Sequence, residues 1–362
     1  MTLVANPISR AFSALTSPRR IRLYVWLSLA TQILIVVTGG LVRLTGSGLG
    51  CPTWPKCTDE SLVSTPEMGI HGLIEFGNRL LTFVLLIVAL LTFVTLLRMR
   101  ADRSQLVKIT IGFFGFVALF VVGLILAVGA IDFASVSVLA AACLGMLVMA
   151  ITFIVTARRT DKRSLVVPAF GLGFGIILQA IIGGITVLTQ LNSWIVGLHF
   201  IISAGLIALA SILVFRALPK PATAVAPVSS KLRLPTVFIS AVTIAVGIIV
   251  TGAGPHAGDA ETPRNGFDLE LWQHFHSYPG YLMLVLVFIQ WIYQVRTSQS
   301  IWSKLPSRTL TLLLVVTIAQ ALVGVVQARL GVPAFLVALH MLGAATLSSL
   351  VTFQFLILRR SA

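Results

Sequence analysis

His199, His276 and His340 each stand inside a long uncharged run of this 362-residue chain, and Asn78 stands just ahead of another. Polar and ionisable groups at membrane depth are costly, and those that persist there usually carry function. Histidines from neighbouring helices of a bundle are the usual axial ligands of haem iron. The plainer alternative for any one of them is a hydrogen bond between helices. What separates the two readings is level: the four residues head four different helices within about two turns of one interface, at 3.6 residues per turn. They group as Asn78 with His199 and His276 with His340, one site in each half of the chain, and the second pair reads as two haem ligands.

Glu75 sets a further problem, because an unpaired carboxylate near a membrane is expensive and tends to be protonated. It reads either as a helix N-terminal charge stabilised by the dipole or as part of a reactive pocket. His71, Glu75 and Asn78 are spaced four and then three residues apart, which places acid, amide and imidazole on one helix face. His71 is the member at the water boundary. His256, in GPHAGD, and His274 read as loop or interface residues. Cys51 and Cys57 share an outer loop with five residues between them, wider than the two to four typical of zinc ligands. The outer face permits disulfides, so a disulfide or a redox pair is a better reading than two unpaired thiols. Cys143 falls within a span and reads as a small apolar packing residue. The glycines of TGSGLG, at 46, 48 and 50, have no strand before them and no lysine in the place a phosphate loop requires; they suit a tight exit turn. Gly183, Gly184 and Gly324 lie on helices and allow close helix contact or room for a flat cofactor.

The elements that must position these residues are transmembrane helices. Apolar residues make up 57% of the chain and charged residues 10%, against about 25% charged in a soluble domain. Marking the charged side chains leaves nine uncharged stretches of 18 residues or more, each near the ~20 residues that cross a bilayer as a helix. The longest, 164 to 215, is broken by Thr189, Gln190, Asn192 and Ser193, so ten spans are expected. The net charge of +15 encodes topology rather than nucleic-acid binding: with the N-terminus inside, 21 of the 26 Lys and Arg fall on inner segments and 9 of the 11 acids fall outside or near it. That distribution satisfies the positive-inside rule with both termini cytoplasmic. Residues 1–21 lack the apolar core and cleavage site of a signal peptide and read as a cytoplasmic tail.

The chain also contains a duplication. Residues 176 to 204 resemble residues 317 to 345 without a gap, matching Gln179 to Gln320, Gly183 to Gly324 and His199 to His340 at an offset of 141. Glu75-Phe-Gly-Asn78 corresponds to Gln273-His-Phe-His276 at an offset of 198, and the surplus of 57 residues sits between about 101 and 160 in the first half. The fold class is thus an all-α polytopic membrane protein of two tandem four-helix bundles with an inserted two-helix hairpin. The N-terminal bundle occupies 22–217, a cytoplasmic linker rich in Pro, Ala and Ser occupies 218–233, and the C-terminal bundle occupies 234–358. Repeats with an even number of core spans share one orientation and are related by a pseudo-two-fold along the membrane normal.

TGSGLGCPTWPKC at 45 to 57, IEFGNR at 74 to 79, the GGxTVL and LHF segments at 183 to 200, and TGAGPHAGD with PRNG at 251 to 266 together resemble the haem A synthase family. The resemblance spans about residues 22 to 358 apart from the hairpin. It implies a C-terminal bundle that binds haem b, an N-terminal bundle that receives haem o as substrate, and oxidation of the haem o C8 methyl to a formyl group, with oxygen from water, to give haem A for cytochrome oxidase. By position, His276 and His340 match the haem b ligands, His199 a ligand of the substrate haem, Glu75 the family's functional acid, and Cys51 with Cys57 its outer-loop pair. One departure stands out: where many members read E-x-x-H-R, this chain has Asn78, a poor haem ligand. Either His199 binds the iron alone or His71 substitutes. The implied partners are haem o synthase (protohaem farnesyltransferase), an unidentified electron donor and the lipid bilayer of the plasma membrane, with self-association left open. A di-haem electron carrier or haem-binding assembly factor is the alternative, but a di-haem carrier would call for two equivalent pairs. A transporter would gather its polar residues at the midplane.

Overall fold

The computed structural model describes residues 7–100, 103–112, 115, 144, 147–148, 150–158, 165–218, 224–302 and 304–359. A short helix α1 (Pro7–Leu15) precedes four long helices of the first half: α2 (Ile21–Leu44), α3 (Gly69–Arg98), α4 (Val166–Leu188) and α5 (Ser193–Ala217). The second half contributes α6 (Pro227–Ala253), α7 (Leu269–Ser298), α8 (Leu305–Arg329) and α9 (Ala334–Leu358). Among the described residues, eight helices are long and apolar enough to cross a membrane. The two further spans expected at 109–131 and 133–157 lie largely outside the described residues, as does Cys143.

Each half closes into a ring: α2 packs on α3, α3 on α4, α4 on α5 and α5 back on α2, and α6 to α9 repeat the order. The rings meet where α9 packs on α2 and α5, and where α5 packs on α6. A buried hydrogen bond of 2.8 Å from Ser211 to Ser349 joins α5 to α9.

Both apolar cores lie in the half of the bundle nearest the chain termini. In the first, Val25, Leu29, Leu96, Phe170, Leu213 and Val214 are buried together; in the second, Met283, Val287, Leu310, Leu313 and Leu358. The described part of the inserted segment packs laterally on the first core. Phe153 is fully buried there, its ring stacked on Phe170 at a centroid separation of 4.0 Å and tilted against Phe93 of α3 at 5.7 Å.

Two boundaries differ from the sequence expectation. The stretch expected as linker up to residue 233 becomes helical at Pro227, because proline suits the first turn of a helix and the fully buried Gln290 and Gln294 of α7 supply partners for the entering backbone. Gln294 Oε1 accepts from the Ala226 amide at 2.9 Å and its Nε2 donates to the Ala224 carbonyl at 3.0 Å, while Gln290 Nε2 donates to the Ser229 carbonyl at 3.1 Å. The N-terminal tail is itself helical over Pro7–Leu15 and fastened to the bundle, the Tyr24 hydroxyl donating to the Leu15 carbonyl at 2.6 Å.

Candidate functional site

The helix ends away from the termini carry the site, and a shared device builds it: the first helix of each pair presents a glycine to the polar residue on the second. A Cβ added at Gly183 of α4 would stand 3.4 Å from His199 Cε1 on α5, and one at Gly324 of α8 would stand 3.4 Å from His340 Cε1 on α9. Gly247 of α6 likewise faces His276 of α7, at 2.8 Å, and Gly39 of α2 faces Asn78 Nδ2 of α3, at 3.8 Å. Four helix pairs therefore hold four side chains at matched positions opposite a glycine; the fit is tightest at Gly247, where a Cβ would crowd the His276 ring, and loosest at Gly39, where one would make ordinary contact.

His276 and His340 come together, their ring centroids 6.1 Å apart and their planes inclined at 70°. Two imidazoles bound to opposite sides of one metal at ~2 Å per metal–nitrogen bond have centroids ~6 Å apart, so the spacing fits a single iron held between them. His199, His276 and His340 each have a shielded Nδ1 without a hydrogen-bond partner. Buried polar atoms are rarely left unpaired, and those that are need a reason such as a ligand. The side chains present therefore fit a haem in the C-terminal bundle. Among the described residues no cluster of three or more metal-ligating side chains forms.

The N-terminal bundle is built differently. His199 is supported on its backbone: the carbonyl accepts from Gln179 Nε2 at 2.9 Å and from the Ser203 hydroxyl at 3.0 Å. Asn78 is tied to α2 by the Thr38 hydroxyl, which donates to Asn78 Oδ1 at 2.8 Å. His71 is exposed and its Nδ1 lies 2.9 Å from Ser47 Oγ, in the turn that ends α2. His71, Glu75 and Asn78 each hydrogen-bond a different partner: the Ser47 hydroxyl, Arg79 with the Cys51 amide, and the Thr38 hydroxyl.

Glu75 is not an unpaired carboxylate. Its Oε1 accepts from Arg79 Nη2 at 2.5 Å and Nε at 3.1 Å, and its Oε2 accepts from the Cys51 amide at 2.6 Å. Arg79 extends the clasp, donating to the carbonyls of Cys51 at 2.9 Å, Thr53 at 3.1 Å and Lys56 at 3.1 Å. The loop so held is the one closed by the Cys51–Cys57 disulfide. Within it, Trp54 lies against Gly184, where a Cβ would stand 2.3 Å from the indole. Arg79 and Trp54 are the residues that sequence reasoning missed. The Glu75–Arg79 spacing of four, a favourable helical ion pair, was the available signal for the first.

The loops at this end also bind the two halves together. Arg43 Nε donates to the His256 carbonyl and Nη2 to the Thr251 carbonyl at 2.7 Å, and the Gly48 amide donates to the Gly258 carbonyl at 2.8 Å. His256 Nε2 lies 2.8 Å from the Val332 carbonyl, so this histidine is a loop staple. The expected exit turn is present, with Gly46 at φ +66°, a conformation that favours glycine.

Comparison with known proteins adds relatives by sequence. A segment of the chain is 32% identical over 89 residues to a protein of Geobacillus kaustophilus named heme A synthase, covering 24% of this chain and 27% of that one. A second heme A synthase, from Lysinibacillus sphaericus, is 37% identical over 65 residues, 17% of this chain and 21% of that protein. A protoheme IX farnesyltransferase of Thermus thermophilus is 40% identical over 57 residues, 16% of this chain and 9% of that one. The matched segments thus span about a quarter or less of these relatives. The family COX15-CtaA, described as cytochrome oxidase assembly protein, matches over residues 22–125 and 138–352, both bundles included, and the chain belongs to that family.

Proposed function

We propose that this protein is a haem A synthase: a membrane oxidoreductase in which haem o, bound as substrate in the N-terminal bundle, is oxidised at its C8 methyl to a formyl group, with haem b held in the C-terminal bundle. The observation that carries the reading is the matched pair of helix rings in which one ring brings two histidines to a 6.1 Å separation and the other retains one histidine and replaces the second by asparagine. A two-cofactor carrier would use two equivalent pairs; a substrate site beside a cofactor site calls for inequivalence. The heme A synthase names of the matched relatives support the same reading.

When bound, haem b supplies one-electron chemistry that no side chain here can supply. The chain's own residues do the rest. His276 and His340 would hold the iron of haem b, with Gly247 and Gly324 giving their rings room. His199 would bind the substrate iron from one side, its helix position fixed through Gln179 and Ser203. Asn78, committed to Thr38, offers no strong ligand on the other side. Glu75, paired with Arg79, lies at the outer rim, where it orders the covering loop. The Cys51–Cys57 disulfide acts with it as a structural clamp. Haem o synthase supplies the substrate, the farnesyltransferase match being in keeping with that step, and a separate redox partner exchanges electrons at the plasma membrane. Both termini face the cytoplasm in this reading, which the distribution of Lys and Arg supports.

Co-expression with a haem o synthase in a host that makes no haem A, followed by extraction and chromatography of membrane haems, tests the activity. Haem A appears with the wild type and disappears in His199→Ala. Haem b alone, with haem o present and a competent redox partner to take up electrons, would sink the proposal in favour of an electron carrier or haem-binding assembly factor.

A further inference from the structure

The α3–α4 seam of the N-terminal bundle is closed twice. Near the termini it is filled by Phe153 of the inserted segment, stacked on Phe170 of α4 and tilted on Phe93 of α3. At the opposite end it is covered by the disulfide-closed loop, fastened to α3 through Glu75 and Arg79 and resting on α4 through Trp54. Between these closures the seam keeps a shallow apolar cleft lined by Leu86, Leu90, Ala169 and Gly173, with Leu90 45% exposed.

Trp54 occupies a seat made for it. Gly183 and Gly184 are consecutive: the first faces His199 and the second faces the indole, so both rings lie at the same level of α4. The internal repeat shows what the second glycine is for. Gly183 corresponds to Gly324, which faces His340 in the same way, but Gly184 corresponds to Val325, which leaves no such seat in the other half. The outer loop of the C-terminal half, residues 254–268, has no tryptophan. Seat and occupant are thus both confined to the ring that holds one histidine.

We propose that Trp54, seated on Gly184 and held by the Glu75–Arg79 clasp, is a positioning residue that closes the outer α3–α4 seam and retains the tetrapyrrole bound at His199. The proposal rests on the reading of the N-terminal bundle as a haem site. A flat, largely apolar ligand entering from the bilayer must pass between helices, and a bulky aromatic side chain over the seam slows its passage in either direction. Glu75 and Arg79 act on the ligand through the loop, not by touching it.

The test uses full-length protein purified with its haems, mixed with excess apomyoglobin, with haem transfer followed by absorbance. The haem absent from His199→Ala protein marks the N-terminal site. Trp54→Ala and Gly184→Val should each speed haem loss from that site about tenfold, leave loss from the His276–His340 site unchanged, and be largely reversed in Trp54→Phe. Unchanged rates in both variants, or equal acceleration at both sites, overturn the proposal. A His199→Ala protein with the full wild-type haem content instead overturns the N-terminal haem site on which it rests.

Discussion

Asn78 is where one residue decides the character of a site. It occupies the position of His276 in the repeat and has a glycine opposite, as the three histidines do, yet its side-chain oxygen is taken by Thr38. Asn78→His should convert the N-terminal haem to a second six-coordinate, low-spin species in the electron paramagnetic resonance spectrum and abolish binding of carbon monoxide to it. An unaltered spectrum would show that residue 78 does not face the iron. The histidines themselves were legible in the sequence because uncharged runs make any ionisable group conspicuous, and the repeat sorted them by level. The state of Glu75 was not legible. Its partner Arg79 lies one turn along the same helix, but the amide of Cys51 and the carbonyls that complete the clasp come from a loop whose path no periodicity encodes.

At the scale of elements, the long apolar helices follow from composition, since in a bilayer each backbone group must be satisfied within its own segment. What hydropathy does not reveal is where a connection stops being a linker. Residues 227 to 233 are charged and proline-containing, but they are helical because Gln290 and Gln294 meet the backbone that enters α6. A buried glutamine amide on α7 thus replaces the water that an exposed linker would use. Gln290→Leu leaves the Ser229 carbonyl without this donor, at a cost of about 1–2 kcal/mol. Thermal unfolding in detergent should show an earlier transition for the C-terminal haem; an unchanged midpoint would mean that the α6 entry is held by other contacts. The inserted segment shows the opposite case: its lateral docking through Phe153 could not be read from its own pattern, because the surface that receives it belongs to α3 and α4.

Across the whole molecule, the pseudo-two-fold predicted by the duplication appears in paired contacts between the halves. Gly40 of α2 approaches Met341 of α9, and Gly197 of α5 approaches Ile248 of α6, each contact one or two residues from a candidate ligand or the glycine that faces it. The partners differ in compliance. A Cβ at Gly40 would stand 2.6 Å from the terminal methyl of Met341, which can swing away. A Cβ at Gly197 would stand 2.4 Å from Ile248 Cγ2, whose branched side chain has few other rotamers. Gly197→Ala should therefore destabilise the protein by about 1–3 kcal/mol while Gly40→Ala is nearly neutral, as read from melting of the two haem absorbances. Equal effects would contradict the unequal fit.

The position of the two apolar cores has a consequence for direction. Tightly filled helix ends on the side of the termini leave the reaction's exchange with water to the opposite side, where the loops, Glu75 and the histidines lie. Under the proposed function the chemistry would be vectorial: water consumed and protons released would pass through the compartment that the loops face, and a haem delivered along the bilayer would be modified without opening a route across it.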